Sequence, residues 1–135
     1  MKLTILVQAA LWVWFLGCTT TWRIGRRLLV GGMGVRSAEF GMLCAYTLGC
    51  LAFHFFPPAG RWILLALLAV WAAVQFFCHW YYTMFGASAE KLKGYNECFR
   101  GTVRIFPESE TRLIPDFYHI VLHILILVNI VFCLR

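Results

Sequence analysis

Apolar and polar residues are not mixed along this chain; they come in blocks. Four apolar runs, at about residues 3–20, 40–56, 62–85 and 117–134, are separated by turn-forming or charged segments. Each run is about 17–24 residues long, enough for a helix rising 1.5 Å per residue to cross a hydrocarbon core of about 30 Å. None shows the strict apolar/polar alternation of a membrane barrel strand. Only helices and closed barrels satisfy every backbone group in lipid, so helices are the solution left. The pattern predicts an all-α integral membrane protein, a bundle of four transmembrane helices forming a single membrane domain over residues 1–135.

The connections refine the picture. Between the second and third runs stands only Pro57-Pro58-Ala59-Gly60. Two residues without a backbone donor predict a tight turn and an antiparallel hairpin of spans 2 and 3. The other two connections, about 21–37 and 86–114, are longer and carry most of the charge. They hold Arg23, Arg26, Arg27 and Arg36 in the first, and Lys91, Lys93, Arg100, Arg104 and Arg112 in the second. Lys2, Arg61 and Arg135 are the only basic residues on the opposite side. The bias of Lys and Arg toward cytoplasmic loops then places both long loops inside and both termini outside. Within the second loop, Leu92, Tyr95 and Phe99 recur at helical spacing among Lys91, Lys93 and Arg100. That predicts a short helix on the membrane surface, or a docking site for a cytoplasmic partner.

Composition agrees with the blocks: 61% of residues are hydrophobic and only 13% charged, with mean hydropathy +0.75. Soluble domains carry about a quarter charged residues. The net charge of +6 is explained by cationic loops facing anionic lipid, and no basic–aromatic pattern points to nucleic acid. Arg23, Arg26, Arg27, Lys91, Lys93, Arg100 and Arg104 are the residues expected to meet lipid headgroups or a cytoplasmic partner. The expected location is multi-pass, in the inner or plasma membrane of a cell. The start resembles a lipoprotein leader at Leu16-Gly17-Cys18, but Phe15 stands where Leu or Val is expected, and the segment is read as the first membrane helix. The six cysteines lack Cys-x-x-Cys spacing, so neither a disulfide framework nor a thiolate zinc site is expected.

Candidate chemistry lies in the polar residues inside the spans, which are costly in lipid and need a partner or a purpose. Gln75 and His79 share a face of the third span, and His119 and His123 share a face of the fourth. Counting 1.5 Å per residue from the loop ends puts His79 at ~9 Å, between His119 at ~6 Å and His123 at ~12 Å. Gln75, His79, His119 and His123 are therefore expected to converge in the cytoplasmic half, with Glu39, Tyr46 and Asp116 as possible additions. His54 lies at the other end. Three readings stay open for the cluster: hydrogen-bonded packing between helices, a proton or solute path, and a metal or haem site on His79, His119 and His123. No cofactor is favoured.

Gly41, Ala45 and Gly49 form a small-residue stripe on the second span, suited to the third span or to a second copy of the chain. Asn129 lies off the histidine face and is expected to bond a different neighbour. Cys98 is a thiol in a long loop, and nucleophilic use of it would need His79 or His119 as a base. Gly31-Gly32-Met33-Gly34 lacks the context of a phosphate loop. The expected function is a non-enzymatic, oligomeric channel- or transporter-type component, or an accessory subunit of a membrane assembly. A metal- or haem-binding protein is the alternative, and a small enzyme acting on lipid or peptide the third.

Overall fold

The computed structural model describes residues 2–135. Its elements are α1 (Lys2–Leu16), β1 (Trp22–Ile24), β2 (Arg27–Val30), α2 (Ala38–Phe55), α3 (Pro57–Gln75), a π-helical turn (Phe76–Trp80), α4 (Tyr81–Phe85), α5 (Ala89–Cys98) and α6 (Phe117–Leu134). The segments α3, π turn and α4 run on as one rod, Pro57–Phe85. That rod, α2 and α6 are the three helices long and apolar enough to cross a membrane. Helix α1 is equally apolar but has 15 residues, ~22 Å of length at 1.5 Å per residue.

The first run thus ends earlier than its hydropathy suggests. At Gly17 the chain passes so close to α6 and β2 that a Cβ there would lie 2.9 Å from both the Tyr118 hydroxyl and Val30 Cγ1. The Leu16 carbonyl at the helix end accepts from the Thr19 and Thr20 amides, both at 3.1 Å, and from their hydroxyls at 2.9 and 3.0 Å.

The Pro57-Pro58 segment also differs from expectation. The prolines are not a loop but the first turn of α3, where missing amide protons cost nothing. Chain reversal is concentrated at Phe56, the shared cap of both helices. Gly60 allows it: a Cβ at Gly60 would sit 2.0 Å from the Ala52 carbonyl oxygen. The hairpin of α2 and α3 is present, closed more tightly than a four-residue turn.

The segment 21–37 is not a featureless loop, so the fold is mostly helical rather than wholly so. Trp22–Ile24 and Arg27–Val30 pair antiparallel around Gly25-Arg26, and Gly25 has φ +59°, the sign type II′ hairpin turns need at that position. Leu29 and Val30 are buried while Arg23, Arg26 and Arg27 stay exposed. The hairpin is pinned to the second loop, where the Val103 amide donates to the Leu28 carbonyl at 3.0 Å.

Chain direction puts the β hairpin and α5 at one end of the bundle and both chain ends at the other, where Arg61 donates to the Leu134 carbonyl. The core between them is dense: Leu11, Tyr46, Leu64, Leu68, Leu122 and Ile126 are fully buried. Trp14 and Tyr118 lock α1 to α6 reciprocally. Trp14 Nε1 donates to the Tyr118 carbonyl at 3.1 Å, the Tyr118 hydroxyl donates to the Trp14 carbonyl, and the rings stack at 5.1 Å. The outer faces are the reverse. Leu6, Leu48, Ile63, Val70, Ile124 and Val131 are all exposed, an apolar belt far too extensive for water and suited to lipid chains.

Candidate functional site

The loop end of the bundle contains a half-open cavity of about 500 Å³. Its walls come from most of the elements at this end: Phe15 of α1 and Cys18 after it, Val30 of β2 and Gly31 after it, Glu39 and Met42 of α2, Trp71 and Gln75 of α3, His79 of the π turn, Tyr95 and Phe99 of α5 with its cap, and Asp116 and His119 of α6 with its cap.

Asp116 is built into the start of α6. Pro115 precedes it, and its Oδ1 accepts from the His119 backbone amide at 2.9 Å, an N-cap bond. The same oxygen lies 2.7 Å from His119 Nδ1. The side chain is 1% exposed, and its second oxygen, Oδ2, has no hydrogen-bond partner. Burial opposes ionisation of Asp116, but the His119 side chain, its charge and its backbone amide outweigh that and hold the carboxyl below its ordinary range. An ionised Asp116 fixes the His119 proton on Nδ1 and leaves Nε2 free.

His79 meets His119 face to face, with ring centroids 4.3 Å apart. It is brought inward by the π turn, since an extra residue per turn shifts the face a helix presents, and such turns recur at functional sites. His79 Nδ1 lies 2.7 Å from the Tyr95 hydroxyl, and Phe99 sets its ring at steep angles to both imidazoles, at 5.8 and 5.1 Å. Burial, reinforced by the charge of Asp116, pushes the Tyr95 hydroxyl up, so it remains protonated. The result is a chain of contacts, Asp116–His119–His79–Tyr95, crossing from α6 to α5.

Of the expected cluster, His79, His119 and Gln75 all line this cavity, and the Gln75 side-chain oxygen is buried without a partner. His123 does not join them. It faces the Trp80 ring at 6.0 Å, and its Nδ1 is unpartnered. Among the described residues, no group of three His, Cys, Asp or Glu side chains is arranged to hold a metal ion. His79 and His119 present ring faces to each other, with both Nδ1 atoms already engaged.

Glu39 and Asp116 do belong to the site, but Tyr46 does not. Its hydroxyl pairs with Asn129 Oδ1 at 3.0 Å, deep in the core, and Asn129 Nδ2 donates to the Val7 carbonyl at 3.3 Å. Asn129 therefore finds its neighbour within the chain. His54 lies apart, 2.7 Å from Gln8 Oε1.

Of the small-residue stripe, Gly49 meets Leu64 of α3, while Gly41 has open space before it and Ala45 is half-buried. Arg23, Arg26, Arg27, Lys91, Lys93 and Arg100 are exposed. Arg104 turns back to Glu108 at 3.4 Å and to Asn96 at 3.3 Å. Cys98 shares the cavity wall with both imidazoles.

Tyr95 escaped sequence reading as a site residue. The 92/95/99 spacing was visible, but not that Tyr95 and Phe99 on that face meet His79 and His119.

Together these features describe a mostly helical chain, with three helices long and apolar enough to cross a membrane and a cavity with one polar wall at one end of an otherwise packed bundle. No family model, curated protein or solved structure matches the chain.

Proposed function

We propose that the protein acts non-enzymatically as a transporter-type component or accessory subunit of a membrane assembly, holding an amphiphile in the cavity at its loop end. The observation that carries this reading is the cavity's division. His79, Tyr95, Asp116 and His119 form one polar wall, and Phe15, Met42, Trp71 and Val74 supply apolar surface. Val74 is exposed on the outer face of α3, so the apolar part borders the lipid. A molecule with a polar head and a hydrocarbon tail fits that division, its head at the polar wall and its tail toward the bilayer.

In this reading the first apolar helix completes a four-span topology, with both basic loops cytoplasmic and the termini outside. The packed core leaves no wide path through a single chain, so passage across the bilayer requires a second copy or a partner. The open face at Gly41 and Ala45 is the surface proposed for it. A second reading, an enzyme acting on lipid, draws on the Asp116–His119 pair, whose orientation is that of a base held by a carboxylate.

The test is photolabelling in nanodiscs with a long-chain alcohol bearing a diazirine in its tail. Saturable labelling that maps to residues 71–79 and 95–119, and is lost in Met42→Trp, is the expected result. Labelling spread evenly over the lipid-facing helices and unchanged by Met42→Trp refutes the reading. Turnover of a lipid by the purified protein would favour the enzyme.

A further inference from the structure

The cavity's unpaired atoms carry information about what enters it. Asp116 is almost wholly buried, yet only Oδ1 is used: it holds both the amide and the ring of His119, while Oδ2 has no partner. The Gln75 side-chain oxygen, on the same cavity, is also buried without a donor. Leaving a buried acceptor unsatisfied is costly, and most of all when it is charged. Both acceptors belong to residues that line the same cavity, and a hydrogen-bond donor is what both lack.

Charge narrows the choice. The chain has 12 Lys and Arg against 6 Asp and Glu. Among the described residues no Lys or Arg lines the cavity, whereas Glu39 and Asp116 both do. In a protein this basic, a site for a phosphate or carboxylate head would be expected to draw on that surplus, and this one excludes it. Trp71, Tyr95 and Phe99 add aromatic surface, whose faces attract cations.

Resting on the reading of the cavity as an amphiphile site, we propose that its ligand is a cationic amphiphile, an alkyl chain ending in a primary or secondary ammonium that donates to Asp116 Oδ2 and Gln75. The ammonium sits against the Asp116 carboxylate with Glu39 adding negative potential, and the alkyl chain follows Met42, Trp71 and Val74 toward the bilayer. An ammonium supplies both the missing hydrogen bonds and the missing charge. An alcohol supplies only the first, and a carboxylate or phosphate neither.

The experiment measures saturable binding of radiolabelled dodecylamine to the full chain in zwitterionic nanodiscs, with empty nanodiscs subtracted, and competition by unlabelled dodecylamine, dodecanol, dodecanoate and dodecyl phosphate. The expected order places dodecylamine about tenfold or more ahead of dodecanol, the scale of a charge-assisted hydrogen bond, with the two anions failing to compete. Asp116→Asn keeps the capping oxygen and is expected to erase the preference for the amine. Should that variant not fold, Glu39→Gln and Gln75→Leu are each expected to weaken amine binding about threefold or more. Equal affinity for all four heads, or preference for an anion, with Met42→Trp still blocking binding, overturns the ammonium assignment and leaves the cavity reading intact. Binding of every head that ignores Met42→Trp overturns both.

Discussion

Asp116 holds His119 twice with one atom: Oδ1 accepts from the His119 amide at 2.9 Å and lies 2.7 Å from its ring Nδ1. The backbone bond starts α6, and the ring bond aims an imidazole at His79. Folding and site assembly are thus one event at this residue, since a helix that fails to cap here also fails to present its histidine.

Substitution separates the two roles. Asp116→Asn keeps a capping oxygen and loses the charge, whereas Asp116→Ala loses both, so alanine should be the less stable by about 1 kcal/mol, the worth of a cap. Acid adds a sign. The folded carboxyl titrates below its unfolded value, near 3.9. Its contribution is fully present above that value and is lost as pH falls through the lower folded one. Melting temperatures in nanodiscs should show wild type ahead of Asp116→Asn at pH 7, with the gap closing as pH falls below the unfolded value. A gap that widens in acid contradicts the assignment.

Tyr95→Phe retains the ring between His79 and Phe99 and removes only the hydroxyl at His79 Nδ1. With that hydroxyl as donor, His79 carries its proton on Nε2. Nitrogen NMR of labelled histidine should therefore show His79 as the Nε2–H tautomer in wild type and a shifted, mixed population in the variant. The expected stability loss is about 1 kcal/mol. An unchanged His79 signal would mean that the hydroxyl does not set the tautomer.

How much of this was legible in the sequence follows from what each feature depends on. The apolar runs that become α2 and α6 were readable to within about two residues because hydropathy and length decide them. So was the meeting of His79 with His119, since depth along two helices entering from the same end is simple arithmetic. What escaped depends on a third body. Helix α1 ends at Leu16, where the next residue, Gly17, packs so close to Tyr118 and Val30 that a side chain there would collide with them. His123 leaves the cluster for Trp80, and Tyr46 turns to Asn129. A change from α to π winding over Phe76–Trp80, the turn that holds His79, leaves no mark in composition, so its effect on which side chains face inward was invisible.

The Tyr46–Asn129 bond crosses the core at 3.0 Å, although Tyr46 was expected near the histidines and Asn129 only away from them. Both are also held by other groups, Tyr46 by the Gln8 carbonyl at 3.2 Å and Asn129 by the Leu125 carbonyl at 2.9 Å. A double-mutant cycle of Tyr46→Phe and Asn129→Leu should give a coupling of about 0.6–1.7 kcal/mol, the range for such pairs in membrane bundles. A coupling of zero would mean that the pair is held by its surroundings and contributes nothing of its own.

The glycines of α2 and α3 test intrachain against interchain packing. At Gly60 a Cβ would collide with the Ala52 backbone at 2.0 Å, so Gly60→Ala should open the hairpin and cost about 3 kcal/mol, at the upper end for overpacking. Gly41 has nothing within 4 Å. In an isolated chain Gly41→Ala should stabilise α2 by about 0.5–1 kcal/mol, the helix cost of glycine, and Gly41→Leu should be tolerated. If a second copy packs on that face, the larger side chain holds the two helices apart. Native mass spectrometry from nanodiscs should then show wild type as an oligomer and Gly41→Leu as a folded monomer. An assembly indifferent to leucine at position 41 would move the contact to another face of the bundle.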